Sequence, residues 1–229
     1  LVPKDFSLSS EYEKGFKIDE LFIKKANGIK TQRDDASIHF TEFECEQLKN
    51  DFLNLENIAL ETKYGFTDVR DWTINSAKED LKNNKIIANQ IAYRPFDLRY
   101  MNYTGKTKGI MGYPRFDIMR NFLPDRDNLG LILVSQPQAA NLNFFDCIFV
   151  VNLISDTNFY RRGGPSCFPL FVYSDSVNQI DIENNNRSVN LNRSIINQLS
   201  SSLRIKFSEQ INERTFAPID ILDYIYAVL

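Results

Sequence analysis

An α+β fold, with a central mixed or antiparallel sheet flanked by helices and a helical C-terminal portion, is what this sequence predicts. Three observations carry the prediction. Apolar residues recur at helical spacing through the first 84 residues, strand-like runs separated by turn residues fill 85–176, and helical spacing returns within 177–229. These three parts are expected to form one compact unit with a β-rich centre.

Residues 18–25 carry Ile18, Leu21 and Phe22 at helical spacing and run into Asn27-Gly28, a helix stop, so a short helix is expected there. The segment from Gly28 to Asp35 leads into Ser37-Ile38-His39-Phe40, whose alternation predicts an edge strand. Thr41 with Glu44 three residues on is a capping box, ahead of a helix whose face carries Phe43, Leu48, Phe52 and Leu55. A second helix is expected over 76–83. From Lys85 the pattern changes: 86–93 reads as a strand, Pro95 breaks it, and 97–103 reads as its partner. Further strands are expected over 129–135, 147–154 and 167–173, with a helix over 115–123 started after Pro114. The asparagine-rich run 178–192 is a loop signal, after which 193–207 and 218–229 read as helices.

Hydrophobic residues at 43% and charged residues at 25% place the chain among globular rather than disordered or membrane-bound proteins. No stretch approaches the roughly 18 apolar residues that a bilayer-crossing helix needs. The chain opens Leu1-Val2-Pro3-Lys4-Asp5, without initiator methionine or signal peptide, and is expected to be a segment of a longer cytoplasmic protein. Cys45, Cys147 and Cys167 lack CxxC spacing, so buried thiols are expected rather than disulfides or a zinc site. The net charge of -3 argues weakly against a nucleic-acid coat, but the charge is unevenly spread. From Arg99 to Arg120 the bases Arg99, Lys106, Lys108, Arg115 and Arg120 are opposed only by Asp117, a local basic stripe of the kind that nucleic-acid binders carry.

Signatures of catalysis are missing. The sequence contains no GxGxxG, Walker A, HExxH or GxSxG pattern, and no Asn-Pro-Pro-aromatic tetrapeptide with which amino-methyltransferases grip an extruded base. Methyl transfer is therefore beyond this chain alone, and no catalytic or metal-ligating residue is assigned. His39, the single histidine, lies in an alternating segment where a structural imidazole outweighs a catalytic base. Asp51 followed by Glu61-Thr62-Lys63 has the acid and acid-x-lysine spacing of a Mg2+-dependent nuclease. Asp80-Leu81-Lys82 repeats the triplet by chance, and Asp51 falls on an amphipathic helix rather than at a strand end.

The run Tyr93-Arg94-Pro95-Phe96-Asp97-Leu98-Arg99-Tyr100 is the densest in function-prone residues. Strand alternation sends Asp97, Arg99 and Met101 to one face and Leu98, Tyr100 and Asn102 to the other. Arg94 or Arg99 can pair with Asp97 to pin a turn; alternatively this strand and the loop Gly105-Lys106-Thr107-Lys108-Gly109 lie along a phosphate backbone. Gly112-Tyr113-Pro114-Arg115 opens a helix whose N-terminus, beside Arg115, either meets a phosphate or leaves Arg115 and Arg120 solvated. Gln136-Pro137-Gln138 at a strand end offers the donor and acceptor pair that reads adenine. Arg161-Arg162-Gly163-Gly164 is a basic loop of the same kind, while residues 168–173 read as core strand.

Five segments in order, Gly28-Ile29-Lys30-Thr31-Gln32-Arg33-Asp34, Tyr93-Arg94-Pro95-Phe96-Asp97-Leu98-Arg99-Tyr100, Asn128-Leu129-Gly130-Leu131-Ile132, Phe168-Pro169-Leu170-Phe171 and Asp223-Tyr224-Ile225-Tyr226-Ala227-Val228-Leu229, carry a resemblance across nearly the whole chain. Together they resemble the C-terminal specificity region of Type ISP (single-polypeptide Type I) restriction-modification enzymes and related adenine methyltransferases. The resemblance implies a target-recognition domain for double-stranded DNA. It also implies a parent polypeptide with an upstream N6-adenine methyltransferase domain as partner, often with a nuclease and a motor. S-adenosylmethionine, with Mg2+ and ATP where those parts exist, would serve the parent and not this fragment. In that family the terminal helix runs past the position of Leu229. Candidate DNA contacts are Lys30, Thr31, Arg33, Arg94, Arg99, Tyr100, Lys106, Lys108, Arg115, Arg120, Gln136, Gln138, Arg161 and Arg162. Two other readings remain open: a nuclease using Asp51, Glu61 and Lys63, and a coupling domain whose helices from Arg193 bind a neighbour and whose basic stripe disperses on folding.

Overall fold

Leu131 and Ile132 are neighbours in sequence and face opposite ways, and the architecture follows from that. In a computed structural model, which describes residues 10, 13–134, 147–160, 164–174 and 186–228, both side chains are fully buried. Strand alternation places Ile132 in one apolar core and Leu131 in another, so the sheet between them is buried on both faces. The continuous apolar run from Leu129 to Ile132 records this double burial.

The elements in chain order are α1 (Ile18–Leu21), β1 (Ala26–Asn27), α2 (Asp34–Ser37), α3 (Glu42–Asn54), α4 (Asn57–Tyr64), α5 (Ile74–Asn83), β2 (Ala88–Arg94), β3 (Asp97–Tyr103) and α6 (Phe116–Met119). A 3-10 turn (Arg120–Phe122) leads to β4 (Gly130–Leu133), β5 (Ile148–Val151), β6 (Ser166–Pro169), β7 (Phe171–Tyr173), β8 (Arg187–Val189), α7 (Arg193–Leu203), β9 (Lys206–Phe207), β10 (Thr215–Phe216) and α8 (Pro218–Val228). The central sheet is antiparallel throughout, in the order β1-β6-β4-β5. The α+β class with an antiparallel sheet is therefore as the sequence predicts. Ile132 pairs with Cys167 on the first face, and Leu131 with Phe168 on the second.

The first core is closed by α3 to α6 and the β2–β3 hairpin, around Phe52, Phe66 and Trp72. Phe52 stacks on Phe66 at 5.7 Å, and Trp72 meets both rings edge-on. The Trp72 indole N–H donates to the Ile110 carbonyl at 3.1 Å, which satisfies its polar edge. The second core packs Phe22, Phe168 and Leu170 against α7 and α8. Cys45, Cys147 and Cys167 are buried, as expected, and burial pushes the thiols of Cys45 and Cys167 up to about 12.

Several expected elements differ. The Thr41–Glu44 capping box forms in both directions, but Phe43 is exposed while Cys45, Leu48 and Phe52 are buried. Phe43 lies two residues before Cys45, about 200° around the helix, and so points outward. Residues 34–37 form a helical turn, and of the expected edge strand only the His39–Tyr100 bridge exists. The helix expected over 18–25 ends at Leu21, because Phe22 bridges Leu191. Helix α4 was not expected: its N-cap makes no side-chain hydrogen bond and it buries only Leu60. The run 167–173 divides at Leu170 into β6 and β7, which belong to different sheets. The helix expected over 193–207 ends at Leu203, where Arg204 turns left-handed. The hairpin β2–β3 is a two-stranded sheet of its own, tied on by the Ala92–Ser155 and His39–Tyr100 bridges.

At the hairpin tip, Pro95-Phe96, the Phe96 side chain is fully exposed and its φ is 63°. Left-handed backbone is strained for a bulky residue, and no buried contact offsets the strain. Phe96→Gly is expected to raise stability by up to about 1 kcal/mol. Urea denaturation checks this; a loss of stability would show that Phe96 makes contacts that hold the fold.

Candidate nucleic-acid interface

Two walls enclose a cleft of about 620 Å³: residues 23–26 on one side and residues 113–118 on the other, with Thr107 at the margin. The first wall is fixed by Asn190, a buried residue whose carboxamide takes both backbone groups of Lys24. Lys24 N–H donates to Asn190 Oδ1 at 2.8 Å, and Asn190 Nδ2 donates to the Lys24 carbonyl at 2.8 Å. The second wall is fixed through Tyr113, which exchanges backbone hydrogen bonds of 2.9 and 2.8 Å with Lys30. Buried Tyr103 donates its hydroxyl to the Pro114 carbonyl at 2.8 Å. Arg115 then turns the chain with φ 51° into α6, whose Ile118 and Met119 are buried. Helix α6 has four residues, fewer than expected, and so supplies no extended N-terminal dipole for a phosphate.

Lys24, Lys30, Lys106 and Arg115 are exposed and have no ion-pair partner among the described residues. Lys24 and Arg115 line the cleft, Lys30 is paired to its wall, and Lys106 adjoins Thr107. Arg115 lies over the Tyr113 ring at 5.5 Å, and Lys25 pairs with Asp19 at 2.6 Å. Among the described residues Asp117 is the one acid lining the cleft. Lys24 and Lys25 escape the sequence reading; the signal available was an adjacent lysine pair shortly before the Gly28 segment.

The remaining candidates are engaged within the chain. Arg99 holds Asp97 through two hydrogen bonds, at 2.6 and 2.8 Å, and stacks on Phe40 at 3.6 Å. Arg94 donates to buried Asp156 at 2.8 Å and stacks on Tyr93 at 3.7 Å. Burial pushes the Asp156 carboxyl above its ordinary value, with the Asn158 N–H and Arg94 pulling against it. Arg33 lies 5.7 Å from the ring centres of both Phe66 and Trp72 and reaches Asp35 at 3.0 Å. Thr31 is buried and donates its hydroxyl to Asp34, Tyr100 pairs through its backbone with His39, and Arg120 donates to the Tyr173 carbonyl at 3.0 Å. Gln136, Gln138, Arg161 and Arg162 lie outside the described residues. Of the nuclease set, Asp51 on α3 accepts from Lys63 at 2.5 Å and from the Tyr64 hydroxyl. Among the described residues no group of three or more His, Cys, Asp or Glu side chains converges to hold a metal ion, and no helix is long and apolar enough to cross a membrane.

Lys108 is intermediate: it is exposed but pairs with Asp71 at 3.1 Å. Asp71 also accepts from Arg70 at 2.9 Å and from the Tyr113 hydroxyl at 2.9 Å. Hydrogen bonds from Arg70, Tyr113 and Lys108 hold its carboxyl down at about 2. A carboxyl depressed in the folded state stabilises the fold above its unfolded value, here about 4, and loses that contribution as the pH falls through about 2. The melting temperature of Asp71→Asn is therefore expected below that of the parent at pH 6, with the gap closing between pH 4 and pH 2. A gap independent of pH would contradict the ionic role of Asp71.

The chain matches the family model of the Type ISP C-terminal specificity domain over residues 20–229. Similar solved structures include the ATP-dependent Type ISP restriction-modification enzyme LlaBIII bound to DNA, at 22% identity and a TM-score of 0.52 over 82% of this chain and 12% of that one. The DrdV–DNA complex matches at 18% identity and a TM-score of 0.57, over 95% of this chain and 20% of that one. A nuclease-deletion mutant of the Type ISP enzyme LlaGI, in complex with a DNA substrate mimic, matches at 17% identity and a TM-score of 0.50, over 77% and 17%. At these identities the likeness is one of fold, and this chain spans 12 to 20% of the length of those chains. Among curated proteins no sequence relative matches. The family match runs from the end of α1 through α8, and on it the chain belongs to the Type ISP C-terminal specificity domain family.

Proposed function

We propose that this chain reads DNA sequence for a restriction-modification polypeptide, with duplex DNA laid against the cleft rimmed by Lys24, Lys30, Lys106 and Arg115. The observation that carries the reading is that Lys24 and Arg115 line one open cleft, Lys30 is paired by its backbone to the cleft wall and Lys106 adjoins Thr107 of the lining, all four without an ion-pair partner among the described residues. Such charges displace the counterions of a phosphate backbone, and this term dominates affinity for duplex DNA. The similar solved structures are DNA complexes, in keeping with this reading. Lys108 shares its charge with Asp71, while Arg33, Arg94, Arg99 and Arg120, with Thr31 and Tyr100, hold the framework behind the cleft. Base discrimination falls to Gln136 and Gln138, whose amides both donate and accept, and to Arg161 and Arg162.

In the parent polypeptide this domain would choose where an upstream S-adenosylmethionine-dependent methyltransferase domain extrudes and methylates an adenine. Cleavage would fall to further domains using Mg2+ and ATP, all in the cytoplasm of the host. One observation favours a coupling role alongside DNA reading: Phe96, Leu98, Val150 and Tyr226 form an exposed apolar rim near the β2–β3 tip. That rim suits the methyltransferase domain of the same polypeptide.

Fluorescence anisotropy on a randomised duplex pool across a salt series tests the DNA reading. Log affinity is expected to fall linearly with log salt, at about -0.9 per phosphate contacted. Lys30→Ala, Lys106→Ala and Arg115→Ala should each reduce that slope by about one contact, whereas Arg99→Ala should leave the slope unchanged. Absence of binding at low salt, or slopes unmoved by all three cleft substitutions, would refute the proposal.

A further inference from the structure

Asp80 in α5 is fully buried, and among the described residues it has no cationic partner. Its Oδ2 accepts from the Thr104 hydroxyl at 2.9 Å and from the Ile110 N–H at 2.8 Å, while Oδ1 accepts from Asn84 Nδ2 at 3.0 Å. Thr104 and Ile110 bracket the loop 105–109. A Cβ added at Gly109 would sit 2.0 Å from Asp80 Oδ2, so the loop backbone closes directly over the carboxylate. The Thr104 hydroxyl in turn accepts from the Lys106 N–H at 3.2 Å. A relay of hydrogen bonds thus runs from a buried carboxylate, through one hydroxyl, to the backbone of the loop's unpaired lysine.

Burying a carboxylate without a counter-ion is costly, and an uncharged residue would serve equally well as a helical position on α5. What an apolar residue cannot do is accept the Thr104 hydroxyl and the Ile110 N–H on one oxygen and so tie both ends of one loop. We propose that Asp80 is a positioning residue that fixes the 105–109 loop and aims Lys106 at the phosphate backbone. Asp71 acts beside it by drawing Lys108 inward, which leaves Lys106 as the loop's outward charge. The inference rests on the DNA-reading proposal above.

The test is a double-mutant cycle of Lys106→Ala with Asp80→Leu and with Thr104→Val, read as duplex affinity across a salt series, with circular dichroism as the check on folding. Lys106→Ala alone is expected to weaken binding several-fold and to reduce the salt slope by about 0.9. Thr104→Val and Asp80→Leu are each expected to reproduce both changes, and Lys106→Ala should then add nothing, because residues acting through one contact are not additive. A full further loss from Lys106→Ala in the Thr104→Val chain would overturn the inference and leave the DNA reading standing. Lys106→Ala without effect in the otherwise unaltered chain would overturn both. Thr104→Val keeps the Asp80 bonds to Ile110 and Asn84, so it decides the question even where Asp80→Leu does not fold.

Discussion

The close approach of Gly28 to Asp156 is the contact on which the rest of the molecule depends. A side chain at Gly28 would place its first carbon 2.3 Å from the Asp156 carbonyl carbon, so only glycine fits. Because it fits, Ile29 exchanges backbone hydrogen bonds with Ser155 and Thr157 at 2.8 Å each. One residue on, Lys30 pairs with Tyr113, and Gly112 donates to the Thr31 carbonyl at 2.9 Å. The segment from Gly28 to Thr31 therefore bridges the chain beyond β5 and the wall of the cleft. On its far side the same Asp156 holds Arg94, and Ser155 bridges Ala92, so the β2–β3 hairpin is registered against the same contact.

That registration explains why the cations fall into two groups. Where the backbone segments cross, arginines are consumed: Arg94 by Asp156, Arg99 by Asp97 and Arg33 by Asp35 and two aromatic rings. Half-buried pairs of this kind hold geometry more than they add affinity for a ligand. At the outer edge of the same crossing, Lys30, Lys106 and Arg115, together with Lys24 opposite, are left exposed and unpaired among the described residues. The basic stripe divides accordingly: Arg99 holds Asp97 and Arg120 donates to the Tyr173 carbonyl, while Lys106 and Arg115 are left exposed.

What the sequence made legible is what local chemistry decides. The Thr41–Glu44 capping box and the strand pair broken at Pro95 each depend on residues close in sequence, and each appears where expected. The division at Leu170 was illegible because β6 and β7 read as one apolar run, and only pairing with β4 and with β8 separates them. Helix α4 lacks both a cap and a wide apolar face, the two signals that would have announced it. Among site residues, Arg99 stands two positions from its partner, and that pairing could be weighed beforehand. Arg94 pairs with a residue 62 positions away, which no local pattern records. Asp80 looked like part of a chance triplet; its purpose exists only once α5 packs beneath the loop 105–109.

Duplex DNA bound as proposed covers the cleft edge. Lysine acetylation of the chain, followed by mass spectrometry with and without duplex DNA, reads this residue by residue. Lys24, Lys30 and Lys106 are expected to be protected by DNA, while Lys49 on α3 and Lys63 on α4 keep their reactivity. Protection centred on Lys49 and Lys63, or unchanged labelling of the three cleft lysines under conditions where the duplex is bound, would contradict it.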